Sequence, residues 1–102
     1  MHEHGLAKEL WPQMRRIAEE NGFGKVTRVD MTVGSLHGVR ADFLAHSLVD
    51  HVFAGTIFQG AQLNIAVVDP AESFTPPGRR EPVTATGWEL MITSMEGERG
   101  TS

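Results

Sequence analysis

A chain of 102 residues, 40% of them apolar, is the size of one domain and can bury a single modest core. Its net charge of −4 leaves no basic field to hold nucleic acid or an anionic membrane, and no apolar run is long enough to span a bilayer. The absence of cysteine excludes disulfides, thiolate nucleophiles and thiolate zinc sites; with no secretory signal visible, a cytoplasmic location is expected.

The chain opens Met1-His2-Glu3-His4, which gathers an amine, two imidazoles and a carboxylate at one terminus. Termini usually fray and vary freely, so these donors raise the question of metal capture without answering it. Residues 5–21 then read as a helix. Leu6, Leu10, Met14, Ile17 and Ala18 recur at helical spacing, and Gly22 stands where a left-handed stop is expected. Pro12 is the misfit, since it removes the bond to residue 8 and crowds that turn. The periodicity carries through it, so a kink is expected there rather than a later start near Leu10.

Residues 25–33 alternate as a half-buried strand, with Thr27, Val29, Met31 and Val33 on the buried face. A glycine-bounded turn, Gly34-Ser35-Leu36-His37-Gly38, leads to a second helix over residues 40–54. Its expected buried stripe is Phe43, Leu44, Leu48, Val52 and Phe53, and Gly55 stops it. Residues 61–68 form a second strand with Leu63, Ile65 and Val67 facing one way. Pro70, Pro76, Pro77, Gly78 and Pro82 punctuate residues 69–87 around Arg79-Arg80, which predicts a loop with a short strand at most over residues 83–86. The last strand is expected over residues 88–95, with Trp88, Leu90 and Ile92 alternating against Glu89, Met91 and Thr93. The predicted fold is α/β (α+β) in two layers: a three-stranded sheet with two helices on one face, in the order helix, strand, helix, strand, loop, strand. One domain over residues 1–96 is expected, with residues 71–86 as a proline-rich loop and residues 97–102 as a loose tail.

These motifs, taken in order, resemble the HypA/HybF nickel metallochaperones of hydrogenase maturation. The resemblance rests on Met1-His2-Glu3 followed by Leu6-Ala7, and on Gly34-Ser35-Leu36-His37-Gly38-Val39 after the first strand. Thr56, Gly60, Ala61, Leu63 and Ile65 continue it into the second strand, and Gly87-Trp88-Glu89-Leu90 closes it. It covers most of residues 1–69 and 87–96. Members of that family carry a zinc domain with two Cys-x-x-Cys pairs between the second and third strands. Here residues 71–86 replace it without a cysteine, so no structural zinc is expected.

The terminus suits nickel on chemical grounds. The Met1 amine, the deprotonated His2 amide and the His2 ring form fused chelates with nitrogen donors near one plane, which Ni(II) and Cu(II) accept. With histidine at position two, one equatorial place stays open for Glu3, His4 or a receiving protein. The resemblance implies His2 as the principal ligand with Glu3 assisting. His4, where the family commonly has an apolar residue, reads equally as a further imidazole ligand or as a solvated residue at a helix start. Cu(II) is expected to bind such a site in vitro more tightly than nickel.

The other histidines weigh less. Asp42, His46 and Asp50 form an i, i+4, i+8 stripe that reads chiefly as a solvated face, with His51 roughly opposite. His37 sits in the glycine turn, and Trp11 and Trp88 read as core or half-buried aromatics. The expected function is a nickel-binding accessory protein rather than an enzyme, because no nucleophile constellation or phosphate loop accompanies the terminus. A maturation GTPase and a hydrogenase large subunit are the partners that the resemblance implies. The alternative is an interaction module that has lost metal delivery, and two unprotected sheet edges leave room for a homodimer.

Overall fold

The computed structural model describes residues 3–100, with side-chain placement from Gly5 onward. Helix α1 spans Glu3–Glu20 as one element across Pro12, so the helix starts well before Leu10. Its apolar stripe is largely buried: Leu6, Ala7, Leu10 and Met14 have no exposed surface, and Ile17 is half-buried. Each of the larger ones contributes about 1.5–3 kcal/mol of burial. The helix stops as expected. The Asn21 side chain donates to the Ile17 carbonyl at 2.8 Å, and Gly22 turns left-handed at φ 68°.

The central strand β1 runs Phe23–Gly34 between parallel β2, Gln62–Val68, and antiparallel β5, Leu90–Arg99. Val26, Val29, Met31, Val33 and Ile92 join α1 and the second helix in one core. The opposite face is polar at its centre. Asn64 donates to Asp30 at 2.7 Å, and Arg28 pairs with Glu96 at 3.0 Å. The two helices therefore cover one side of a three-stranded sheet, as the sequence predicts.

Strict alternation misplaces one residue of β1. Thr27 is exposed and Val26 takes its place in the core. The cause is a bulge: Val26 pairs with Gly97 and Arg28 with Glu96, so two steps on β1 match one on β5 and the side-chain phase flips. β5 itself continues to Arg99, three residues into the expected tail, because Gly97 and Glu98 still pair with Val26 and Lys25.

The second helix departs more. α2 spans Ala41–His46 and passes directly into a π-helical stretch, Ser47–Val52. Phe53 N–H donates to the Leu48 carbonyl at 2.8 Å, an i, i+5 bond. The buried residues are accordingly Leu44, Leu48 and Phe53, while Phe43 is 51% exposed with the Arg40 guanidinium 4.5 Å above its ring. Phe58, from the turns before β2, completes the core, stacked near Phe53 at 5.3 Å and edge-on to the half-buried Trp11 at 5.2 Å.

The proline-rich segment is more ordered than a loop. β3, Ser73–Phe74, pairs with β4, Val83–Thr84, as a small antiparallel hairpin. Ala71 N–H donates to the Ala85 carbonyl and Ala85 N–H to Glu72, which pins the hairpin beside the end of β2.

Candidate functional site

Met1 and His2 lie outside the described residues, and so do the side chains of Glu3 and His4. The body behind them is described. The backbone of Glu3 and His4 forms the first turn of α1, and Leu6 and Ala7, one turn later, are wholly buried. The donor segment is therefore joined to a fixed helix within a residue or two.

The most closely built feature among the described residues is at the other end of the sheet, where the glycine turn after β1 meets the chain entering β5. Gly34 N–H donates to the Glu89 carbonyl at 2.7 Å, and Leu36 N–H donates to the Gly87 carbonyl at 2.9 Å. The approach is so close that a Cβ on Gly34 would lie 2.0 Å from the Gly87 oxygen. Gly87 has φ 92°, and a Cβ there would meet Leu36 and Pro70 at 2.8 Å. The Glu89 carboxylate closes the turn. It accepts from Thr86 N–H at 2.8 Å, the Thr86 hydroxyl at 3.1 Å and Gly87 N–H at 2.9 Å. Burial by itself raises the Glu89 pKa, but the amides of Thr86, Glu89 and Gly87 and the Thr86 hydroxyl outweigh it and hold the carboxyl below its ordinary value.

This arrangement inverts the expected pattern at the start of the last strand. Glu89 is buried, and Trp88 is 59% exposed rather than a core aromatic. Residues 86–89 form a turn closed by a side chain, so the period-two alternation of a strand begins only after them. His37 joins the same feature. Its Nε2 lies 3.0 Å from the Trp88 carbonyl, and its ring stands edge-on to the indole at 5.4 Å. Since a carbonyl only accepts, Nε2 donates and carries the proton. Sequence reasoning missed the role of Glu89; the signal was Gly87 two residues before a carboxylate, a spacing that suits a turn closed on its own amides.

The remaining histidines fall on the π-helical stretch. Asp42 leaves the expected stripe, because the Arg40 guanidinium holds it at 3.0 Å. His46 Nδ1 pairs with Asp50, and the His51 ring, expected on the far side, stands edge-on to His46 at 5.6 Å. Among the described residues no group of three or more His, Asp or Glu side chains is arranged to hold a metal ion. An open hollow of about 350 Å³ is lined by Arg79, Arg80 and Glu81 between β3 and β4, and none of these residues belongs to the other clusters. No helix among the described residues is long and apolar enough to cross a membrane.

Comparison with known proteins places these features in context. A family model described as "Hydrogenase/urease nickel incorporation, metallochaperone, hypA" matches residues 1–73. The hydrogenase maturation factor HypA of Nitrosospira multiformis is 37% identical over 65 residues, covering 64% of this chain and 56% of its own. That of Chlorobaculum tepidum is 34% identical over 94 residues, covering 92% and 74%. The chain thus spans little more than half the length of the first of these relatives. The solution structure of the Ni metallochaperone HypA from Helicobacter pylori superposes with a TM-score of 0.71 over 98% of this chain at 15% identity, a likeness of fold.

Proposed function

Because the chain belongs to the HypA family of nickel-incorporation metallochaperones, we propose that it is a nickel-binding accessory protein for maturation of a nickel hydrogenase or a related enzyme, acting as a carrier and not as an enzyme. Ni(II) is its cargo. The Met1 amine, the His2 amide nitrogen and the His2 ring take the ion, Glu3 assists, and His4 competes for the open place. The observation that carries this reading is the match of residues 1–73 to the nickel-incorporation family model, with the Met1-His2-Glu3 donors standing in sequence directly ahead of the buried Leu6 and Ala7 of α1.

The same donors explain how such a site would load and unload. Binding displaces protons from the amine, the amide and the imidazole, so affinity falls as the pH falls. The open equatorial place admits a ligand from a receiving protein, which is the step a carrier needs. Nickel over copper is then decided by supply and by partners, since Cu(II) binds nitrogen sites more tightly. A maturation GTPase and a hydrogenase large subunit are the partners this reading proposes, in the cytoplasm. With no cysteine in the chain, no structural zinc is proposed.

A second reading is favoured by the exposed Leu36 and Trp88 at the closed turn: a docking module that has kept the family's fold and lost metal delivery. Calorimetric titration of Ni(II) into the chain with an authentic N-terminus separates the two. The carrier binds tightly and loses that binding in His2→Ala. If wild type binds no better than His2→Ala, the docking module is the better account.

A further inference from the structure

The π-helical stretch does something that an α-helix of the same sequence would not. In an α-helix, residues five apart are separated by about 140° around the axis, so His46 and His51 would point apart. A π turn closes on i, i+5 and returns the fifth residue to the same side. The rings accordingly stand 5.6 Å apart, edge to face, on the solvent side of the helix. π turns are uncommon and tend to mark functional sites.

We propose that His46 and His51 form a second, weaker site for a late first-row divalent ion, with Asp50 orienting His46. The Asp50 carboxylate lies against His46 Nδ1, so in the neutral ring that nitrogen carries the proton and Nε2, across the ring from Asp50, keeps its lone pair. A carboxylate behind a ligating imidazole fixes its tautomer and raises its basicity. Imidazole suits Ni(II), Cu(II) and Zn(II). The side chains of His46 and Asp50 are 66% and 51% exposed, so the rings can turn to place both nitrogens on one ion without disturbing the core. Asp42 takes no part, because Arg40 holds it. The pair supplies two protein ligands and water supplies the rest, which makes the site a point of capture rather than of storage. It stands on the described helix and is independent of the N-terminal donors.

The test uses the full chain with the terminal clasp disabled by His2→Ala and His4→Ala behind a three-residue N-terminal extension. Nickel sulfate alone is titrated into it by calorimetry, with imidazole proton spectra recorded in parallel. About one equivalent is expected to bind, with paramagnetic broadening confined to two of the three remaining histidines and assigned to His46 and His51. His51→Ala abolishes that binding, and Asp50→Ala weakens it by about tenfold. Because these side chains are exposed, unchanged far-ultraviolet circular dichroism is expected for each variant. Absence of binding in the clasp-disabled chain, binding that survives His51→Ala, or broadening at His37 instead would each overturn the proposal.

Discussion

The closed turn and the clasp proposed at the N-terminus make opposite demands on polar groups. At the closed turn, every arm of the Glu89 carboxylate is occupied by Thr86 and Gly87, and two glycines allow backbones to touch where no side chain fits. At the N-terminus, the donors proposed for nickel precede Leu6 and Ala7, the first buried residues of α1 among those described. A group that holds a fold must be saturated by its own chain. A group that carries cargo must be left unsaturated until the cargo arrives.

The largest effect is expected where saturation is tightest. Gly34→Ala places a methyl group on the Gly87 carbonyl, a backbone atom that cannot move aside alone. The expected cost is about 3 kcal/mol or more, read as a fall in the urea midpoint. A loss below about 0.5 kcal/mol, the range of a neutral surface change, would mean that the turns are not locked together.

Glu89→Gln tests the same lock through charge. It keeps the shape and weakens the carboxylate's accepted bonds, at an expected cost of about 1–3 kcal/mol near neutral pH. The pH dependence has a definite sign. Because the folded pKa lies below the unfolded one, the carboxylate's contribution is complete above the unfolded value of about 4.3. It is lost as pH falls through the folded value. Urea midpoints of wild type and Glu89→Gln should therefore converge as the solution is acidified, and parallel curves would contradict this.

The smallest effect sharpens the comparison from the helix side. Phe43→Ser should change stability by no more than about 0.5 kcal/mol, because the ring lies on the surface under Arg40. Leu44→Ala, one residue on, should cost about 2–5 kcal/mol, because Leu44 is fully buried. Thermal melts of the pair decide the matter. A large loss for Phe43→Ser would restore the stripe that helical periodicity alone predicts.

That pair also shows where the sequence was legible. Local periodicity found α1, the three main strands and both left-handed stops at Gly22 and Gly55, because each is set by residues near in sequence. It failed at three places where one extra residue shifts the phase or ends it. The bulge at Thr27 exchanged Thr27 for Val26 in the core. On the second helix Phe43 lies outside, and the π-helical stretch after it brought His51 beside His46. The side-chain-closed turn at residues 86–89 put Trp88 outside and Glu89 inside. The bulge depends on the partner strand and the π turn on the packing of its helix, so neither is set by the local pattern; the turn does carry a local signal, the spacing of Gly87 and Glu89, which strand periodicity does not read. The terminal donors were legible as chemistry, through the amine and the imidazole at position two, and their assignment to nickel came from the ordered family motifs.

The central claim is that the amine and His2 carry the nickel. Its most direct measurement is calorimetric titration of Ni(II) into the chain with an authentic N-terminus beside His2→Ala, both in a His51→Ala background so that the helical pair contributes nothing. The account predicts one tightly bound equivalent whose affinity falls with pH in the parent, and no tight binding in His2→Ala. Equal binding by the two proteins would contradict it.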